Sequence, residues 1–196
     1  MSRLIIFGAP GAGKGTQATR IAASLGIPAI STGDIFRYNI KNETVLGLQV
    51  KEILASGAYV PDEVTNAIVR DRLDQPDAVA GFLLDGYPRT QAQVVELDDM
   101  LTSAGTSLDA VLELTVDTDE VVQRLLKRAE IDGRADDTED VIRHRLNVYV
   151  QETAPLSALY HERGLLRQVD GMGEMDAVTR QIEAVISGGV GRGSSV

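Results

Sequence analysis

Short apolar runs alternate along the chain with longer segments in which apolar residues recur at every third or fourth position. The short runs contain few polar residues, which indicates strands buried on both faces, as in a parallel sheet covered by helices. The strands that this pattern predicts are Leu4–Phe7, Ala29–Ser31, Phe82–Asp85, Ala110–Thr115 and Leu165–Val169.

The longer segments have the period of amphipathic helices, and they separate the predicted strands. They cover residues 14–25, 33–41, 45–56, 62–74, 90–103, 118–129, 138–163 and 175–187. Alternation of strands and helices is typical of an α/β protein. We therefore expect a doubly wound, five-stranded parallel sheet in a single domain that spans residues 1–187.

Two intervals are longer than a simple crossover between neighbouring strands requires. Residues 32–80 contain three of the predicted helices, which is enough for a small subdomain inserted between consecutive strands. Residues 129–137 (AEIDGRADD) are a polar, glycine-containing break that fits a surface turn or a mobile cover. Residues 188–196 are rich in glycine and serine, so we expect a flexible tail there.

Composition restricts the classes of function. The 196 residues include 43% hydrophobic and 24% charged residues, as in an ordinary globular protein, and most of the basic residues are arginine. The lack of cysteine excludes disulfides and thiolate zinc sites. A net charge of −10 argues against nucleic acid as a partner. No signal-peptide pattern or membrane-spanning run is found, so we expect a cytoplasmic protein without a membrane partner.

The clearest motif is GAPGAGKGT, residues 8–16, which lies between a predicted strand and a predicted helix. It is nearly the phosphate-binding P-loop pattern, whose glycines let successive backbone N–H groups point at an anion. Lys14 would add a positive charge for the terminal phosphates, and the N-terminus of the helix would add its dipole. In this context the motif predicts a site for a nucleoside triphosphate.

One position departs from the general P-loop. Gly15 stands where a serine or threonine usually ligates magnesium, and Thr16 follows one residue late. The missing side chain removes a direct hydroxyl ligand and lets a phosphate approach the backbone N–H closely. We therefore expect Mg²⁺ to be held mainly by phosphates and water. Asp85, and Asp34 as a second candidate, would orient those waters.

Three further motifs follow the P-loop: STGDIFR at 31–37, LLDGYPRTQAQ at 83–93 and GRADD at 133–137. In this order the four motifs resemble those of the adenylate kinases, in register from residue 3 to about residue 187, and the short interval at 129–137 resembles their short-lid form. The resemblance implies a five-stranded parallel sheet with a helical NMP-binding insert at about 31–60 and a lid at about 128–138.

The same resemblance implies a reaction, the reversible, magnesium-dependent transfer of the terminal phosphoryl group of ATP to AMP, which yields two ADP. It also implies a monomer whose partners are these nucleotides. Phosphoryl transfer requires positioning and charge neutralisation more than covalent chemistry, so cations without a nucleophile suit it. The catalytic residues that the resemblance implies are Lys14, Arg89, Arg128, Arg134 and Arg145.

For AMP, the resemblance makes Arg37 and Arg89 the clamps of the phosphate, and it makes Thr32 and Gln93 the readers of adenine. The AMP-binding residues that it implies are Thr32, Arg37, Ala58, Tyr59, Val60, Gly86, Tyr87, Pro88, Arg89, Gln93, Arg134 and Arg145. Backbone groups of Ala58–Val60 and Gly86–Pro88 would assist.

For ATP, the resemblance adds two residues to the P-loop and the lid arginines. Arg124 lies one helical turn before Arg128 and would contact the ATP base, and Gly173 lies in the loop after the last predicted strand, near the same adenine. The ATP-binding residues are thus Gly11, Ala12, Gly13, Lys14, Gly15, Thr16, Arg124, Arg128 and Gly173.

Two other functions fit the motifs less well. A kinase for UMP or CMP would share the fold, but relatives that prefer pyrimidines tend to carry a smaller residue at the position of Thr32. A nucleotide-binding regulatory protein would not need so many arginines, and the guanine-reading N-K-x-D motif is absent from the sequence. Any single arginine, Arg124 or Arg143 for example, could equally form a surface salt bridge.

Overall fold

The structure is a computed structural model, and it describes residues 2–132 and 138–189. The strands are β1 (Arg3–Gly8), β2 (Ala29–Ser31), β3 (Phe82–Asp85), β4 (Ala110–Thr115) and β5 (Leu166–Asp170). The helices are α1 (Lys14–Leu25), α2 (Thr32–Lys41), α3 (Val45–Ala55), α4 (Asp62–Leu73), α5 (Gln91–Ser103), α6 (Thr118–Asp132), α7 (Glu139–Val148), α8 (Pro155–Glu162) and α9 (Met175–Gly189). No helix among the described residues is long and apolar enough to cross a membrane.

The described strands form one parallel sheet in the order β2-β3-β1-β4-β5, which confirms the predicted fold class. The chain passes from β1 toward β2 at one edge, whereas it passes from β3 toward β4 on the other side of β1. The connections after β1 and β3 leave on opposite faces of the sheet, through α1 and α5, and a crevice opens at the carboxyl ends of these two strands. The loops that border this crevice are the P-loop motif and the segment that begins at Asp85.

Alternate side chains of β1 enter two separate apolar layers. Ile5 and Phe7 pack with α4, α5 and α8 on one face of the sheet. Leu4 and Ile6 pack with α1 and α9 on the other face. The continuous apolar runs were thus a correct indication of strands buried on both faces. The edge strand β5 is more polar and more exposed, and it begins one residue later than its sequence pattern predicted.

Helices α2, α3 and α4 fill the long interval between β2 and β3, and they have an apolar cluster of their own. Its buried members are Phe36, Val50 and Val60. Helices α2 and α3 approach each other closely at Gly47, where an added Cβ would overlap the backbone carbonyl of Asn39. A separate core of this kind is compatible with a subdomain, although the predicted boundaries of the insert at 31–60 stay a prediction.

The single helix predicted over residues 138–163 is wrong, because a π-turn at Tyr149–Thr153 separates α7 from α8. The N–H of Ala154 donates to the carbonyl of Tyr149, five residues earlier, at 2.9 Å. The cause is Pro155, which has no N–H, and whose ring would collide with the carbonyl four residues before it in an α-helix.

Helix α6 continues to Asp132, three residues beyond its predicted end. The break predicted at 129–137 is therefore wrong in its first four residues. The predicted lid at 128–138 lies partly outside the described residues, as do all but the first two residues of the predicted tail.

We predict that Gly47→Ala lowers the thermal unfolding temperature by about 3 to 10 °C, because the new methyl group pushes α2 and α3 apart. Gly188→Ala is the matched control, since Gly188 is also helical and no atom lies within 4 Å of its added Cβ. Calorimetry should show no loss of stability for that control. Equal, unchanged unfolding temperatures for both variants would contradict the tight crossing.

Candidate active site

The P-loop connects β1 to α1 through glycines that take backbone conformations unfavourable for other residues. Gly13 has a φ of 86° and caps α1 without a side-chain hydrogen bond. The helices that flank it behave differently, because Ser31 caps α2 and Thr90 caps α5 through their side-chain oxygens. Gly13 has no side chain that could accept from the first-turn N–H groups of α1. These N–H groups can therefore bind an anion.

Lys14 is the first residue of α1, and its side chain folds over the P-loop. Its Nζ donates to the carbonyl of Gly8 at 2.7 Å and to the carbonyl of Ala9 at 2.9 Å. The ammonium group is thereby held at the mouth of the loop. Ala12 is nearly buried, and its N–H donates to the carbonyl of Ala9 at 3.1 Å. Ala12 therefore forms a turn inside the P-loop.

Asp85 ends β3 beside the first turn of α1. A Cβ added to Gly15 would lie 3.7 Å from Oδ2 of Asp85, so the two residues are neighbours. Asp34 lies on the same side of the cleft, but it accepts from Nη2 of Arg37 at 2.5 Å. Among the described residues, no group of three or more histidines and acids could hold a metal ion by itself.

Two adjoining cavities occupy the crevice. The wider one, of about 490 Å³, is lined by the P-loop and α6, and the narrower one, of about 90 Å³, reaches the insert and the π-turn. Four cations line both cavities and therefore stand where the two meet: Lys14, Arg37, Arg89 and Arg145. They come from the P-loop, α2, the loop after β3 and α7, so the fold alone brings them together.

Arg89 is fixed by contacts on several sides. Its N–H donates to Oε1 of Gln93 at 2.7 Å, and its Nε donates to the carbonyl of Gly86 at 2.8 Å. Its guanidinium carbon lies 4.9 Å from the ring centre of Tyr59. Within the described part of the chain, neither Nη nitrogen makes a hydrogen bond. Those two nitrogens are therefore positioned for a forked contact with phosphate.

From the sequence, Arg124 and Arg143 could each either bind a nucleotide or form a surface salt bridge. The structure places the two arginines differently. Arg124 lines the wider cavity, pairs with Glu120 at 2.7 Å and donates to the carbonyl of Gly171 at 3.3 Å. Arg143 is an exposed residue of α7 that pairs with Glu139 at 2.8 Å. Arg124 thus joins α6 to the loop after β5, whereas Arg143 forms a surface salt bridge.

Thr32 and Gln93 are both nearly buried, with 2% and 1% of their surfaces exposed. The hydroxyl of Thr32 donates to the carbonyl of Gly86 at 2.9 Å, and Nε2 of Gln93 donates to Asp62 at 2.7 Å. The cavity that they line is small, with a volume of about 30 Å³. Ala58, Tyr59 and Val60 line the same cavity, which must widen before it admits a purine.

The remaining predicted residues are more scattered. Pro88 lines the narrower cavity, and Thr16 lines the wider one. Tyr87 is fully buried, and its hydroxyl donates to Asn66, so only its backbone is placed near the cleft. Gly173 is exposed and lines neither cavity. The side chain of Arg128 and the whole of Arg134 lie outside the described residues.

Sequence reasoning missed Tyr149 and Thr153, which line the narrower cavity from the π-turn. Burial, followed by the charge of Glu113, raises the pKa of Tyr149 above its usual range, so this phenol stays neutral. It also missed Asp62, which accepts from both Gln93 and Thr90. The only local signal for the π-turn is Pro155, and no local signal points to Asp62.

A P-loop at the switch point of a parallel sheet, facing several arginines across a cleft, defines a P-loop phosphotransferase. The sequence matches the family model described as "Adenylate kinase" over residues 6–165. The chain therefore belongs to the adenylate kinase family, which confirms the family predicted from the four motifs. It is an enzyme of phosphoryl transfer whose substrates are nucleotides.

Several curated relatives cover almost the whole chain. The adenylate kinase of a Nocardioides species is 62% identical over 92% of this chain and 94% of its own length. That of Clavibacter michiganensis is 60% identical over 96% of this chain and 94% of its own length. That of Kocuria rhizophila is 59% identical over 95% of this chain and 99% of its own length. The similarity is thus spread over the core, the insert and the segments around the cleft.

Proposed function

We propose that the enzyme transfers the terminal phosphoryl group of ATP to AMP in a reversible, magnesium-dependent reaction that yields two ADP. The observation that carries this proposal is the set of four cations, Lys14, Arg37, Arg89 and Arg145, that line both cavities. A phosphoryl group passing from one nucleotide to the other would cross the place where these cations meet. Neutralisation of charge at that place is what the reaction requires.

ATP would bind in the wider cavity. The N–H groups of Gly13, Gly15 and Thr16 would cradle its phosphates, and Lys14 would move from the carbonyls of Gly8 and Ala9 to the terminal phosphate. Arg124 would lie against the adenine, supported by its contact with the loop after β5. The roles of Arg128, Arg134 and Gly173 in gripping ATP stay predictions from the resemblance.

AMP would bind on the side of the insert. Arg89 offers two Nη donors to the AMP phosphate, and Arg37 would exchange the exposed Asp34 for the same phosphate. The adenine would enter the cavity lined by Thr32, Val60 and Gln93. Because that cavity is now small, the insert would swing outward before AMP binds and return afterwards.

The residues beside the P-loop fit a magnesium ion that is held largely through water. Asp85 offers a carboxylate next to Gly15, and Mg²⁺ prefers oxygen ligands while it keeps several waters. A magnesium ion bound to the phosphates of ATP would neutralise negative charge and align the triphosphate. Asp85 would fix the waters of that ion. Asp34, in contrast, pairs with Arg37 and would become available to those waters only after Arg37 left it for the AMP phosphate.

The protein needs no general base in this reaction, because an oxygen of the AMP phosphate already carries negative charge. Arg89 and Arg145 would hold that oxygen in line with the ATP phosphate, and Lys14 would stabilise the charge that shifts during transfer. Water is the competing acceptor, so a narrow cavity that closes around the phosphates also protects ATP from hydrolysis. We further propose that the enzyme acts as a monomer in the cytoplasm, where its substrates are, since one chain supplies every cation of the cleft that is described.

A coupled assay with ATP and different acceptors tests the proposed reaction. We predict that AMP is phosphorylated at least about tenfold faster than UMP, CMP or GMP, because Thr32 and Gln93 would form hydrogen bonds with the edge of adenine that the other bases do not match. Removal of Mg²⁺ with EDTA should abolish the reaction, and its replacement should restore it. Faster turnover of UMP or CMP than of AMP would overturn the choice of acceptor, and full activity in EDTA would overturn the role of magnesium.

Two arginines of α7 provide a matched test of the cleft. We predict that Arg145→Ala lowers kcat more than about 100-fold, because a cation that faces the phosphates is lost. Arg143→Ala removes only a surface pair two residues away and should change kcat by less than about twofold. Both variants are compared by steady-state kinetics and by thermal unfolding. Equal kinetics in the two variants would remove Arg145 from the site.

A further inference from the structure

The hydroxyl of Thr153 connects three segments that are far apart in the sequence. Its Oγ1 lies 2.8 Å from the hydroxyl of Tyr59, in the insert, and 2.8 Å from the carbonyl oxygen of Arg89. Thr153 itself ends the π-turn and is 5% exposed. The insert, the loop after β3 and the π-turn therefore meet at one buried hydroxyl beside the proposed phosphate site.

The direction of these two hydrogen bonds follows from the number of protons. A carbonyl oxygen can only accept, so Thr153 must donate its single proton to Arg89. The bond between the two hydroxyls then needs a donor, and that donor is Tyr59. The order Tyr59 to Thr153 to Arg89 is fixed, and neither hydroxyl can leave without stranding a buried polar group.

Tyr59 reaches Arg89 a second time through its ring. The guanidinium carbon of Arg89 lies 4.9 Å from the ring centre, within the range of a cation–π contact. The ring therefore supports one face of the guanidinium group, while Gly86 binds Nε at its edge. Arg89 is held by both its backbone and its side chain, and Tyr59 contributes to each.

The π-turn supplies the third side of this arrangement. Because Pro155 interrupts the α-helical pattern, the chain widens at Tyr149–Thr153, and both end residues of that turn line the narrower cavity. The insert also touches α7 nearby, since a Cβ on Gly57 would lie 2.7 Å from Cγ of Arg145. The contact between the insert and the π-turn thus belongs to a closed arrangement around the phosphate site.

We propose that Tyr59 and Thr153 are positioning residues that latch the insert onto the π-turn and thereby orient Arg89 toward the phosphate of the acceptor nucleotide. The proposal rests on the phosphate-binding role proposed for Arg89. The latch closes only when the insert returns after the acceptor has entered, so its loss affects the acceptor and the rate of transfer. Binding of ATP, which uses the opposite wall of the cleft, is unaffected.

Steady-state kinetics of Tyr59→Phe, Thr153→Val, Thr153→Ser and the double variant Tyr59→Phe/Thr153→Val test the latch. Thr153→Val should lower kcat/KM for AMP by about tenfold or more, because misplacement of a positioned group by about 1 Å can cost 100-fold. Thr153→Ser keeps the hydroxyl and should restore most of the rate. Tyr59→Phe should give a smaller loss, since its ring remains on Arg89, and the double variant should be no slower than Thr153→Val alone.

The KM for ATP should change by less than about twofold in all four variants, because no residue of the P-loop is altered. Thr102→Val, at an exposed hydroxyl of α5, is the control for the substitution itself. If Thr153→Val lowers only the thermal unfolding temperature while kcat/KM for AMP stays at the wild-type value, the latch is excluded. Independent, additive losses in the double variant would also exclude it. If Thr153→Val does not fold, the kinetics of Tyr59→Phe still test the latch.

Arg89→Lys separates the latch from the proposed role of Arg89. A wild-type rate in Arg89→Lys would overturn the role of Arg89, and the latch with it, because lysine cannot offer the forked pair of donors. A slow Arg89→Lys enzyme together with a fast Thr153→Val enzyme would overturn the latch alone. A slow rate in both, with recovery in Thr153→Ser, is the result that the proposal predicts.

Discussion

The rest of the structure depends on one constraint. Positive charge is concentrated in a single cleft, although the net charge of the chain is −10. Like charges repel by about 1 kcal/mol per pair at 4 Å even in water, so cations do not gather without support. Local carboxylates provide part of that support, because Arg37 pairs with Asp34 and Arg124 pairs with Glu120. Backbone carbonyls at Gly8 and Gly86 provide a further part by accepting from Lys14 and Arg89. Phosphates would compete for the same cations.

The sheet order decides where those cations meet. Because β1 and β3 are parallel neighbours whose carboxyl ends lie at the same edge of the sheet, the P-loop and the loop of Arg89 begin side by side. Helices α2 and α7 then close the cleft from two further sides. The same geometry suits the proposed exclusion of water and alignment of two phosphates, since the narrower cavity lies where all four segments come together. The small volume beside Thr32 and Gln93 supports the proposal that the insert opens during the cycle.

Local pattern was sufficient for the core of the fold and for part of the candidate site. Unbroken apolar runs located the buried strands, and the spacing of Gly8, Gly13 and Lys14 located the P-loop. The resemblance placed Arg37, Arg89 and Arg145, all of which line the cleft. Long-range contacts were beyond local reasoning. The bond between Tyr59 and Thr153 joins residues 94 positions apart, and the partner of Gln93 lies 31 positions away. Helical periodicity continues through Pro155 and so does not reveal the π-turn, which only the missing N–H of that proline indicates.

The central claim is that one phosphoryl group passes between two nucleotides at the meeting point of the four cations. A crystal structure with a bisubstrate ligand tests this claim most directly. Such a ligand joins two adenosines through a chain of phosphates. We predict phosphate oxygens roughly 2.7–2.9 Å from Lys14, Arg89 and Arg145, one adenine beside Thr32 and Gln93, and the other beside Arg124. A ligand whose phosphates contact the P-loop alone, with Arg89 and Arg145 directed away from them, would contradict the account.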